Sequence, residues 1–305
     1  MIPEYFQAKM EAMYGDKGSA WVEQAEQTIL SLQEKRSLSF GEPFSLSYNF
    51  VVPAVLPDGT SAVLKMGYPN KEFSNEFHAL REFAGDAMVK VIDSDQEAGW
   101  IILTHIQPGR ALHSLRDEMK QLKIFAAIAE KLWHKPSTTH PFPDVEAWSE
   151  GIRRYKSRFK DGNGPLPEKM ISKAESLFSR LLGSSEERYL LHGDLHHENI
   201  LYSESAGWTA IDPKGLIGER EYDCIQYTLN HWKDHEDPYE LLKFRTAAFS
   251  SLLSLSYERL ISYGFCHSVL SACWCTEDGS DCWKNGAAIA EMYERLLNEN
   301  KAGSL

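Results

Sequence analysis

Residues 189 to 202, YLLHGDLHHENILY, impose the hardest constraint in the chain. Tyr189–Leu191 and Ile200–Tyr202 read as short strands that enter and leave a core, yet between them lie three histidines, Asp194, Glu198 and Asn199. Burying such groups without partners costs several kcal/mol each. A fold that accepts this stretch must keep the strands inside and turn the polar loop out into a site. From the stretch alone, a metal cage, a nucleophile with its base, a phosphoryl-transfer loop and a plain polar turn all stay open.

The surrounding pattern narrows the choice. Trp21, Ala25, Thr28, Ile29 and Leu32 recur at helical spacing in residues 17–36. Beyond Phe44 the pattern becomes β-rich. FVVPAV and SAVLKM flank LPDG, whose Asp58-Gly59 is a hairpin signal. KEFSNEFHALREFAG returns to helix with Gly85 as its stop, and AMVKVID and GWIILTHI read as two further strands, broken by QPGRAL at Pro108-Gly109. After that the chain is mostly helical, with patterns at about 118–135, 144–160, 168–183, 222–234, 238–275 and 285–298, interrupted only by the strands of 189–213. At 305 residues and 43% hydrophobic content the chain can bury a substantial core in two lobes. The expected division is 1–106, a β-rich lobe with a leading helix, and 107–305, a helical lobe with a β-loop-β insertion, with a ligand cleft as the default.

Within that layout HGDLHHEN contains D-x-x-x-x-N, Asp194 to Asn199, and the next apolar run ends at Asp212 in AIDPKG. A carboxylate and an amide oxygen delivered from strand ends suit Mg²⁺, a hard cation that keeps room for phosphate oxygens. Asp194 then stays available to an attacking hydroxyl. These are the parts of a phosphoryl-transfer site. Lys65 closes the hairpin strand AVLK like the phosphate-pairing lysine of kinases, and Glu76 lies on the next helix beside its apolar face. LTHIQPG follows the last small-lobe strand, so Thr104 and Ile106 offer backbone groups to an adenine.

The motif H-G-D-L-H-x-x-N followed by I-D-P-K-G resembles the aminoglycoside phosphotransferase superfamily, which has the protein-kinase-like fold and also includes choline-kinase-like enzymes. LHGDLHHENIL, AIDPKGLIGE and SYGFCHSVLSACW together look like its streptomycin 6-phosphotransferase and hydroxyurea-resistance kinase branch. The resemblance implies an α+β bilobal fold, ATP and Mg²⁺ as cofactors, Asp194 as catalytic base, Asn199 and Asp212 as Mg²⁺ ligands, Lys65 on the phosphates and Glu76 supporting Lys65. It also makes Asp223 a family aspartate, read as structural. His192 is read from its place in the loop as fixing it through backbone hydrogen bonds. The chain departs from protein kinases in having no G-x-G-x-x-G before Lys65, so Ser45 and Ser47 in GEPFSLSYN must cover the phosphates. Asp-Phe-Gly is replaced by Asp212-Pro213-Lys214. Both departures point to a small-molecule kinase.

The formal charge of −12, from 44 acidic against 32 basic residues, disfavours nucleic acid and anionic membranes and favours a cationic small-molecule acceptor. Choline, an amino sugar or a metabolic sugar is the alternative acceptor. The acidic turn Glu277, Asp278 and Asp281 either lines the cleft or faces solvent. A metallohydrolase built on His192, Asp194, His196 and His197 leaves Asn199, Asp212 and Lys65 without a role, and a silent nucleotide-binding module has no need of Asp194, Asn199, Asp212 and Lys65 together. The five cysteines, at 224, 266, 273, 275 and 282, are expected as buried reduced thiols and not as a zinc knuckle or a disulfide framework. No run approaches the roughly 18 apolar residues of a membrane span, and a cytoplasmic protein is expected. Oligomeric state has no signature in the sequence.

Overall fold

The computed structural model describes residues 1–85, 87–233 and 235–303. The chain divides into two compact units, Met1–Arg110 with Leu201–Asp212, and Ala111–Ile200 with Pro213–Leu305. Two helices, α1 (Glu4–Tyr14) and α2 (Asp16–Arg36), open the first unit. They are followed by β1 (Ser39–Phe40), β2 (Phe50–Val55), β3 (Ser61–Met66), α3 (Lys71–Glu82), β4 (Val91–Asp95), β5 (Trp100–Thr104) and β6 (Pro108–Ala111). The second unit contributes α4 (Glu118–Leu132), α5 (Val145–Arg158), α6 (Glu168–Gly183) and β7 (Tyr189–Leu191). The chain then forms β8 (Ile200–Ser203) and β9 (Gly207–Ala210). It finishes through β10 (Leu216–Gly218), α7 (Arg220–Asp223), α8 (Ile225–Leu229), α9 (Pro238–Leu253), α10 (Tyr257–Glu277) and α11 (Trp283–Gly303).

Among the described residues the first unit is built on a five-stranded sheet of order β1-β2-β3-β5-β4, with antiparallel pairing throughout. Side chains alternate across a strand, and one face takes Phe50, Val52, Ala54, Ala62, Leu64, Met66, Trp100 and Ile102. That face packs on Phe6, Met10, Trp21, Val22, Ala25, Ile29 and Leu32 from α1 and α2. The same alternation sends Val51, Val63, Lys65 and Leu103 to the other face. The returning segment joins this unit through the sheet β6-β8-β9, and through Met88, which bridges in parallel to Ala210 with Val89 N–H donating to Ala210 O at 2.9 Å.

In the second unit α10 is buried on nearly every side, from Leu260 to Cys273, and packs against α5, α6 and α11. β7 and β10 pair antiparallel with Leu190 opposite Ile217, which fixes the chain on both sides of the polar loop.

Several expectations need correction. Where one leading helix is expected, over 17–36, a second precedes it at Glu4–Tyr14, with Phe6 and Met10 buried against the sheet. The strand expected in AMVKVID starts later, at Val91, and QPGRAL adds β6 to a second sheet instead of ending strand structure. Helix α3 stops at Glu82 with Phe83 N–H donating to Ala79 O, before Gly85 is reached. The helix expected over 222–234 ends at Leu229, because Asn230 is extended and His231 has φ 53°. Cys275 and Cys282 form a disulfide, not reduced thiols: the turn at Gly279 (φ 68°) folds the end of α10 back and brings their Cα atoms to 5.6 Å. Cys224, Cys266 and Cys273 are free and buried. No described helix is long and apolar enough to cross a membrane.

Candidate active site

In the first unit the far face of the sheet borders a cavity of about 360 Å³, lined among others by Ser45, Ser47, Lys65, Thr104, Ile106 and Asp212. Lys65 reaches this wall because Leu64 and Met66 on either side of it are committed to the helical face. Its side chain is only 3% exposed, and its Nζ lies 2.5 Å from Glu76 Oε1 and 3.1 Å from Asp212 Oδ1. Burial alone would lower the lysine pKa, but Asp212 and Glu76 overcome it and hold the ammonium above its ordinary value. Glu76 faces inward from α3 with Phe73, Phe77 and Leu80. Asp212 stands at φ 58°, a left-handed conformation that aspartate tolerates better than most residues, and its side chain is 46% exposed.

The wall after β5 is partly committed. Thr104 N–H donates to Lys90 O at 2.9 Å, whereas the Ile106 amide has no partner among the described residues. Sequence reasoning missed Phe44 and His105, which meet edge to face at 5.9 Å on the same wall. Their only signal was adjacency to Ser45 and Thr104. A larger cavity, about 590 Å³, runs along α5 and α6, but it holds none of the residues with phosphoryl-transfer chemistry.

The second unit holds the loop His192–Asn199. Gly193 has φ 80°, and a Cβ there would meet Leu216 and Lys214 side chains at 3.2 Å, so a glycine suits this position. Asp223 clamps the loop from below: its carboxylate accepts N–H bonds from His192 (3.1 Å) and Gly193 (2.7 Å) and the Trp133 indole N–H (2.8 Å). Complete burial, only partly offset by these bonds, pushes its pKa up to about 6. His192 is held by its own backbone, with Lys214 N–H donating to its carbonyl at 2.8 Å. Asn199 donates its amide nitrogen to Asp194 O at 2.9 Å and lies 3.2 Å from His196 Nε2. Its side-chain oxygen is thereby turned away and accepts nothing among the described residues. His196 Nε2 is 3.7 Å from Asp194 Oδ1.

Glu198 is enclosed by imidazoles: Oε2 faces His196 Nδ1 at 2.9 Å, and Oε1 faces both His231 and, at 3.5 Å, His113. Burial would raise its pKa, but the bonds to His196 and His231 hold it well below the carboxylate range. His197, left in the sequence as a loop residue, is buried and stacked on Tyr227 at 3.9 Å. Burial drives its pKa down to about 2, so it stays neutral. In the acidic turn, Glu277 binds Arg154 at 3.0 Å, and Asp281, 85% exposed, pairs with Lys284 at 2.9 Å. Asp278 between them is exposed and makes no ion pair among the described residues.

Solved structures share this architecture. Choline kinase LicA from Streptococcus pneumoniae matches with a TM-score of 0.64 at 18% identity, over 90% of this chain and 99% of that one, and LicA has also been solved in complex with AMP. The fold is therefore the protein-kinase-like fold of small-molecule kinases, with a β-rich N-terminal region and a mostly helical C-terminal part. The model of the aminoglycoside/hydroxyurea antibiotic resistance kinases matches residues 39–279, and the chain belongs to that family. Streptomycin 3''-kinase from Klebsiella pneumoniae is 36% identical, over 88% of this chain and 100% of that protein. Streptomycin 6-kinase from Streptomyces glaucescens is 27% identical, over 92% of each. The chain is a phosphotransferase with a hydroxyl group on a small molecule as acceptor.

Proposed function

We propose that this kinase uses ATP to phosphorylate a hydroxyl of a cationic aminoglycoside of the streptomycin type. The observation that carries the nucleotide half is the buried Lys65, held between Glu76 and Asp212 on a cavity wall that ends in the Ile106 amide. The streptomycin kinases among its relatives support the acceptor. In this reading the adenine meets Ile106 N–H beside Thr104, Ser45 and Ser47 cover the phosphates, and Lys65 Nζ pairs with them while Glu76 keeps it in place.

Asp212 and Asn199 are the residues that would hold Mg²⁺. Both fit a hard cation, since Asp212 is a half-exposed carboxylate and Asn199 has its amide nitrogen tied to Asp194 O, which leaves the oxygen as donor. Bound Mg²⁺ neutralises phosphate charge as it develops. In the transfer, the acceptor oxygen attacks the γ-phosphorus, its proton passes to the Asp194 carboxylate, and the bond to the β–γ bridging oxygen breaks to release ADP. Asp223 contributes by position only, fixing the two amides that precede Asp194.

Acceptor-dependent ADP release across streptomycin, other aminoglycosides, choline and neutral sugars tests the proposal. Turnover with streptomycin above the other acceptors is expected. Preference for choline would transfer the chain to the choline-kinase reading, and turnover confined to neutral sugars would remove the cationic acceptor altogether.

A further inference from the structure

We propose that His113, Glu198 and His231 form a binding site for a divalent transition-metal ion of the Zn²⁺ class. The three side chains come from separate parts of the second unit: the short turn Leu112–Ser114, the turn His197–Asn199, and the residue pair after α8. Their ligand atoms lie within 4.8 Å of one another, and among the described residues no other histidine, cysteine or acidic group of three does so. His113 Nδ1 and His231 Nε2 converge on the same carboxylate oxygen, Glu198 Oε1, and the two imidazoles lie nearly parallel, 5.0 Å apart at 22°.

The ligand types select the ion. Mg²⁺ and Ca²⁺ take oxygen donors, whereas two imidazoles and one carboxylate, with a further position open to water, suit Zn²⁺ and its neighbours. All three side chains are partly exposed, so an ion has an entry path. The surroundings also orient the ligands. Glu198 Oε2 is fixed by His196 Nδ1 at 2.9 Å, as the outer partners of metal-bound carboxylates are. His231 sits at φ 53°, a conformation that non-glycine residues hold only where their surroundings impose it. The ring of His197, which is 1% exposed and has neither nitrogen hydrogen-bonded among the described residues, lies edge-on to His231 at 4.9 Å and packs against it. This chemistry differs from the oxygen set of Asn199 and Asp212, and it makes no use of the transfer reaction.

The test is metal binding by the untagged, metal-stripped chain, with Zn²⁺ titrated in competition with a chromogenic zinc chelator under excess Mg²⁺. Stoichiometric Zn²⁺ binding that Mg²⁺ does not displace is expected. His113→Ala and Glu198→Gln should each weaken it by about tenfold or more, while His140→Ala, at an exposed histidine elsewhere, should leave it unchanged. Co²⁺ in place of Zn²⁺ should give a visible absorption spectrum that His113→Gln alters, a readout independent of affinity. No binding against the chelator, or binding that His113→Ala and Glu198→Gln leave intact, would overturn the proposal.

Discussion

At the scale of single residues, the loop His192–Asn199 is a polar insertion made tolerable by one buried carboxylate. Asp223 satisfies two loop amides and an indole, and its own burial leaves it protonated more readily than a free aspartate. A folded pKa raised above the unfolded value means the native state binds the proton more tightly. Its stabilising contribution is therefore complete below about pH 4 and is lost as pH rises through about 6. Between about pH 5 and about pH 7 the wild type should lose about 1 kcal/mol that Asp223→Asn does not lose. Urea unfolding of both proteins at the two pH values measures the difference, and parallel pH profiles would contradict it. Asp194 carries the opposite kind of prediction, kinetic and not structural. Asp194→Asn should reduce kcat by about 10²-fold or more while ATP affinity stays nearly constant, because the carboxylate acts on the acceptor hydroxyl. A variant that keeps most of its turnover would remove the base assignment.

Elements position these residues through periodicity. Strand alternation in β3 commits Leu64 and Met66 to α1 and α2, and so sends Lys65 to the cavity. Helical spacing in α3 turns Glu76 toward the core with Phe73 and Phe77. In the second unit the close packing of α10 on α11 depends on Gly264, where a Cβ would meet the Tyr293 ring at 2.2 Å. Tyr293 cannot swing aside freely, since its hydroxyl is bonded to Thr228 at 2.6 Å and its side chain is fully buried. Gly264→Ala should therefore destabilise the fold by about 1–3 kcal/mol through overpacking, despite the higher helix propensity of alanine. Thermal unfolding checks this, and an unchanged midpoint would show that the two helices can separate at little cost.

For the molecule as a whole, the charge of −12 acts mainly at a distance: in the acidic turn Glu277 is paired with Arg154 and Asp281 with Lys284, and Asp278 alone is exposed without an ion pair among the described residues. Any advantage to a cationic acceptor then comes from the diffuse field, which salt screens beyond about 10 Å at 0.1 M. The KM for streptomycin should rise several-fold between low and high ionic strength, and the KM for a neutral acceptor should not. Neutralising Glu277, Asp278 and Asp281 together should leave that salt dependence almost intact. Its disappearance in the triple variant would place the attraction in the turn after all.

The strands β2 and β3, the helix α6 and the order lysine, glutamate, aspartate–asparagine, aspartate were legible in the sequence, because local periodicity and motif spacing are properties of neighbouring residues. The family follows from the same motifs. Other features depend on residues distant in the chain. Helix α1 exists to cover a sheet that begins some way downstream, and β6 needs β8 as a partner. Asp212 reaches Lys65 because Leu201–Asp212 returns to the first unit. Cys275 meets Cys282 through a turn, and His113, Glu198 and His231 converge from three separate segments. Sequence spacing carries no signal for such meetings, since they are decided by which surfaces the core brings together and not by which residues are adjacent.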